Sequence, residues 1–235
     1  MGLNDVKSGR PDHWEVLIRM LDDNDKLIMP GQFLDVAERY SLAPRMDRWV
    51  IEQTFAWLNT TYELEGRAEF VNINLSGVGI GDNDFLEVIE KLTLTLDIPS
   101  SNVCFEITES AAMGKHAKQF LHRLKDLGYQ LALDDFGSGF SSFGYLESLP
   151  VDYIKIDGLF VRDMARNQSH REFVKSINDI GKVMGKKTVA EHVACSESLA
   201  MLKEMGVDFA QGYQISLPSP MVTDVAFRPL VANCT

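Results

Sequence analysis

No hydrophobic run in these 235 residues approaches the roughly 20 apolar residues that a membrane-crossing helix needs, and no signal-peptide pattern opens the chain. The domain is therefore expected in the cytoplasm and off the membrane, although a parent protein can still carry an anchor. Cysteine is scarce. Cys104, Cys195 and Cys234 form neither a CxxC pair nor a spaced framework, which excludes a zinc ribbon or disulfide scaffold and fits a reducing compartment. Positive charge is short too: 23 Lys and Arg against 34 Asp and Glu leave a formal net charge of −11. Without a basic stripe the chain is not expected to bind a nucleic-acid polymer, so an anionic substrate must be met locally by metal, lysine or arginine. The five histidines, 13, 116, 122, 170 and 192, show no ligand spacing; only His192, beside Glu191, is worth watching. Low-complexity sequence is absent, and 45% hydrophobic content can fill one core. Residues 1–235 are expected as a single domain, with 1–12 as a linker or tail.

What is present is an alternation. Short apolar or β-branched segments at 69–75, 102–107, 130–135, 152–156, 187–191 and 207–213 are separated by helical patterns near 84–97, 115–128, 141–148, 169–185 and 196–205. Ahead of them, 14–20 reads as a strand, Pro30 to Tyr40 as a helix with proline at its first position, and about 45–59 as a second helix. The βαβα punctuation predicts a largely parallel sheet with right-handed crossovers, closed as a (β/α)₈-type TIM barrel. Seven strands are counted where the barrel wants eight. One strand is either missing or hidden in the polar first 13 residues; the stretch from Asn4 to Asp12 does not favour a strand there, so the first strand is expected to be absent.

These strands end in polar residues: Asn74, Glu106, Asp134 and Asp135, Lys155, Glu191, Gln211. A polar group buried without a partner costs about 2–7 kcal/mol. Strand C-termini of an α/β barrel converge on one face, where such groups can satisfy one another and form a catalytic floor. Asp134-Asp135-Phe136-Gly137-Ser138-Gly139 can turn two carboxylates toward divalent cations beside a tight loop; it also reads as a cap and turn. Glu106 between Phe105 and Ile107 needs a cation or a salt-bridge partner. Lys155 can bind phosphate, orient a water or pair with an aspartate. Glu191 is a ligand, a base or a structural partner, and Glu109 either reaches the loop after Asp135 or opens a helix.

Taken in order, Glu15-Val16-Leu17 with Arg19, Asn74-Leu75-Ser76, Glu106-Ile107-Thr108-Glu109, Asp134 to Ser142, Leu149-Pro150-Val151-Asp152, Lys155-Ile156-Asp157, Ala190-Glu191 and Gln211-Gly212-Tyr213 resemble the EAL-type cyclic di-GMP phosphodiesterases of bacterial signalling. The resemblance covers roughly residues 13–220. It implies a modified TIM barrel with one antiparallel strand and two Mg²⁺ or Mn²⁺ ions, cutting cyclic di-GMP to linear pGpG. It assigns metal contact to Glu15, Asn74, Glu106, Asp134, Asp135 and Glu191, with Gln211 holding metal or water. Catalysis goes to Glu15, Lys155 and Glu191, substrate contact to Leu17, Arg19, Asp157, Gln211 and Pro218, and loop anchoring to Glu109. A homodimer, and fusion to a sensory or GGDEF domain in the parent protein, are further implications. The alternative is a catalytically silent cyclic di-GMP receptor. The chain departs from the family pattern at Val16, at His192-Val193-Ala194, at Gln214 to Pro218, and in lacking the Gln-Pro-Ile-type first strand.

Overall fold

A computed structural model describes residues 2–5, 11–65, 69–139 and 143–221 of the chain. Ten strands are present among these residues: β1 (Gly2–Asp5), β2 (Pro11–Val16), β3 (Met20–Leu21), β4 (Leu27–Ile28), β5 (Val71–Asn74), β6 (Val103–Thr108), β7 (Gln130–Phe136), β8 (Tyr153–Ile156), β9 (Lys187–Ala190) and β10 (Phe209–Gln211). Eight of them close a barrel in the order β1-β10-β9-β8-β7-β6-β5-β2. Seven run parallel, and β1 lies antiparallel to both of its neighbours, with Leu3 opposite Gln211 on one side and His13 on the other. The remaining pair, β3 and β4, makes a small hairpin whose turn is held by Asp22, which accepts from the amides of Asn24 and Lys26.

The barrel and its seven parallel strands are those the sequence predicts, but the expectation that the first strand is absent is corrected. Gly2–Asp5, expected as part of a tail, fills the gap between β2 and β10. Its composition is poor for a strand. Pairing with a partner on each side supplies what propensity does not.

Period-two alternation sorts the parallel strands into two faces, as far as the bulge in β7. Outward residues such as Val71, Ile73, Phe105, Leu131, Leu133, Ile154 and Ile156 are buried in one continuous apolar layer under the helices, with Ile51, Phe55 and Leu58 of Ala43–Glu65, Ile89 of Asn83–Thr93, Leu121 and Leu124 of Ala117–Asp126, and Val174 and Ile177 of Gln168–Val183. Inward residues stack in layers along the barrel axis. The upper layer holds Glu15, Asn74, Glu106, Asp134, Lys155, Glu191 and Gln211. One pleat lower on the same strands stand His13, Asn72, Cys104, Ala132, Tyr153, Val189 and Phe209. Cys104, Ala132, Tyr153, Val189 and Phe209 form a second apolar cluster, and the His13 ring stacks on Phe70 at 3.8 Å and on Phe209 at 4.9 Å. The barrel is thus plugged below and polar above. No described helix is long and apolar enough to cross a membrane.

Candidate active site

Lys155 is the hub of the polar layer. Its ammonium, 1% exposed, lies 2.7 Å from Glu106, 2.8 Å from Glu191, 3.0 Å from Asp134 and 3.8 Å from Glu15. One buried ammonium faces four carboxylates. Desolvation disfavours every charge here, and the carboxylates overcome it at Lys155, holding its ammonium well above the ordinary lysine range. Burial pushes Glu106 well up and Glu191 to about 8, against the pull of Lys155. Glu15 goes the other way. Burial opposes its charge, but Lys155 and hydrogen bonds from Asn74 and Gln211 bring its carboxyl below the usual value.

The amides bind the acids into one network. Asn74 donates to Glu15 at 2.9 Å, Gln211 donates to the other oxygen of Glu15, and Asn72 donates to Glu106 at 2.8 Å. Gly212 makes the Gln211 position possible: a Cβ there would fall 2.3 Å from the backbone of Val193. Val193 in turn donates its amide to the Gln211 carbonyl, so the segment after Glu191 and the end of β10 are pressed together.

Asp134 and Asp135 reach the same region although adjacent residues of a strand face opposite ways. The reason is a bulge. β7 pairs with β8 at Leu133 and again at Phe136, where Ile154 and Ile156 are the partners, so β7 carries one extra residue. Asp135 sits in it at φ 53°, in the left-handed region that aspartate tolerates. Oxygens of Asp134, Asp135 and Glu191 come within 4.8 Å of one another. Burial, with Asp134 and Asp157 nearby, raises Asp135 to about 6.

Glu109 opens the four-residue helix Glu109–Ala112 and also accepts the Gly137 amide at 3.0 Å. Its backbone thus starts a helix while its side chain reaches the loop after Asp135. A Cβ on Gly139 would lie 2.6 Å from its carboxylate, so the loop after β7 rests directly on Glu109, beside a cleft of about 140 Å³ lined also by Thr108, Ser110, Met113, Asp135 and Ser138.

The remaining expected residues have other partners or none of these bonds. Arg19 donates to the Ile18 carbonyl, Asp157 caps the helix Gly158–Val161 through the Leu159 amide, Leu17 is half-buried and Pro218 is exposed. Two connections escaped the sequence reading. Asn72 joins the cluster from below, and Asp47 on Ala43–Glu65 accepts from the amide and hydroxyl of Ser76, tying a helix to the loop that leaves Asn74. Asn72 shares the inward parity of Asn74, which is a readable signal; Asp47 carries none.

The donor set suits hard divalent cations. Carboxylate and amide oxygens, with no sulfur or imidazole among them, are the ligands Mg²⁺ and Mn²⁺ take. The buried oxygens Asn72 Oδ1, Asp134 Oδ1 and Gln211 Oε1 have no hydrogen-bond partner, although Asp134 Oδ1 pairs with the Lys155 ammonium.

Comparison with known proteins agrees with this geometry. The family model described as EAL domain matches residues 3–218. The chain is 43% identical over 218 residues to cyclic di-GMP phosphodiesterase PdeB of Shewanella oneidensis, covering 92% of this chain and 25% of that protein. It is 35% identical over 214 residues to cyclic di-GMP phosphodiesterase PdeF of Escherichia coli K12, covering 88% and 28%. Among solved structures, the PaMucR phosphodiesterase in complex with c-di-GMP superposes with a TM-score of 0.87 at 28% identity, over 93% of this chain and 90% of that one. The chain spans about a quarter of the length of the two curated relatives.

Proposed function

The chain belongs to the EAL domain family, and from that premise we propose that it hydrolyses one phosphodiester of cyclic di-GMP to give linear pGpG, using two Mg²⁺ or Mn²⁺ ions. The observation that carries this reading is the charge imbalance around Lys155: the buried Glu15, Glu106 and Glu191 and the half-buried Asp134 against one ammonium, with Asp135 a fifth acid beside them. Such a cluster repels a phosphodiester unless cations enter it.

Glu15, Asn74, Glu106, Asp134, Asp135 and Glu191 are the residues we assign to the cations, with Gln211 holding an ion or its water. When bound, two cations lower the pKa of a shared water and stabilise both oxygens of an in-line displacement. The protein's own part is positional and electrostatic. Lys155, kept protonated by its neighbours, donates hydrogen bonds: it orients the attacking water and steadies a phosphate oxygen and does not act as the base. Glu15 and Glu191 flank it as the other catalytic groups. Leu17, Arg19, Asp157, Gln211 and Pro218 form the rim that meets the nucleotide, and Glu109 holds the loop carrying Gly137 to Gly139. The same reading extends to the setting: a cytoplasmic domain, dimeric, working beside a sensory or GGDEF domain.

The test is incubation of the purified protein with cyclic di-GMP and Mg²⁺ or Mn²⁺, products followed by chromatography, with Glu15→Ala and a chelator as controls. Appearance of pGpG that vanishes in both controls supports the reading. Tight nucleotide binding without turnover would make the chain a receptor instead.

A further inference from the structure

We infer that Asn72 is a positioning residue for Glu106, setting the orientation in which that carboxylate faces the cation site; the inference rests on the assignment of Glu106 to the cations. Asn72 is 4% exposed on a central strand, in the layer below the site. Cys104, Ala132, Val189 and Phe209 of that layer are buried and apolar. An apolar side chain would fill this position at no polar cost. A buried amide there is destabilising for each group left unpaired, and Asn72 Oδ1 has no hydrogen-bond partner.

What the amide achieves lies one pleat above. Its Nδ2 donates to Glu106 Oε1 at 2.8 Å while Lys155 donates to Oε2 at 2.7 Å. In the ionised form that would hold a cation, Glu106 accepts and does not donate, so the amide can face it only with its nitrogen, and the orphaned oxygen follows from that orientation. The terminal torsion of a glutamate is broad when free. Two donors, one on each oxygen and both closed to solvent, fix it. Neither strand pairing nor packing requires this bond, since Val71 and Ile73 supply the outward core contacts of β5.

The experiment uses Asn72→Leu, which keeps the branching and the number of heavy atoms and removes the donor, and Asn72→Ala, which leaves room for a water to bridge. Mn²⁺ binding is measured by calorimetry without nucleotide, alongside kcat and KM for cyclic di-GMP and the thermal midpoint without metal. Loss of a residue that orients a metal ligand lowers metal affinity or activity by about 10–100-fold. The expected result is Mn²⁺ affinity weakened in that range, more by Leu than by Ala, with kcat falling in step, KM little changed and the metal-free midpoint held or raised. Unchanged Mn²⁺ affinity in folded Asn72→Leu overturns the inference. If the Leu variant does not fold, the Ala variant decides by the same criterion. Failure of the unsubstituted protein to bind Mn²⁺ strikes the two-cation reading itself, whereas binding that both variants leave intact removes only the role of Asn72.

Discussion

The Lys155 ammonium stands 2.7 Å from the Glu106 carboxylate, with 1% and 0% of the two side chains open to solvent. A buried pair of this kind adds little stability as a pair, yet stranding one partner is costly, by about 3–5 kcal/mol. Here the stranded partner would be a group of acids, which sets the first prediction.

Lys155→Met should abolish measurable turnover and lower the thermal midpoint of the metal-free protein, because Glu15, Glu106, Asp134 and Glu191 lose their shared cation. Added Mn²⁺ should then raise the midpoint of the variant by more than it raises that of the unsubstituted protein. Equal shifts, read by calorimetry, would argue that these acids do not hold the metal.

Asp47 sets a pH dependence remote from the chemistry. Burial lifts its carboxyl from 3.8 to about 6 in spite of the hydrogen bonds from Ser76. A folded pKa above the unfolded one favours folding while the group is protonated, so this contribution is full below pH 3.8 and is lost as pH rises through 6. Thermal midpoints of the protein and of Asp47→Asn, compared from pH 4 to 8, should diverge in favour of Asn as pH rises. A constant gap would refute it.

Gly139→Ala tests the loop after β7. The added methyl would lie 2.6 Å from the Glu109 carboxylate, which is itself bound to the Gly137 amide, so the loop must move off its support. Displacement of a positioning loop by about 1 Å can cost as much as about 10²-fold in rate. Turnover should fall toward that extent while the thermal midpoint stays within a few degrees, since no core contact is lost. A large fall in the midpoint would instead make the loop part of the structural core.

His192 and Gly158 form a steric pair. A Cβ on Gly158 would lie 2.5 Å from His192 Nδ1 and 2.8 Å from its Cβ, and His192 holds φ 54°, so rotating the ring alone does not relieve the overlap. Gly158→Ala should cost about 1–3 kcal/mol. In a His192→Gly background the same change should be neutral or stabilising, because alanine is favoured over glycine in a helix by up to about 1 kcal/mol. Denaturant midpoints of the four combinations measure the coupling, and additive effects would show that the two residues do not press on each other.

Much of the site was legible because chemistry and periodicity coincide: Asn74, Glu106, Asp134, Lys155, Glu191 and Gln211 each stand at or near the C-terminal end of an apolar strand, and the parallel barrel brings such ends together. What stayed hidden depends on tertiary partners. β1 has four residues, of which Gly2, Asn4 and Asp5 have low strand propensity, and its backbone ladders run to β2 and β10. The strand expected at 14–20 stops at Val16, since Met20 and Leu21 turn away into the hairpin with β4. The bulge that presents Asp134 and Asp135 together follows from the register with β8, and register is not written in either strand alone.

β1 also gives the barrel a seam. Glu15 on β2 and Gln211 on β10, 196 positions apart, are bonded across it, and β1 ties the same two strands together. Tension applied near residue 2 would load those ladders first and, through them, the Glu15–Gln211 link. The seam is thus a mechanical link: a pull on β1 would reach the Glu15 carboxylate through the two strands it joins.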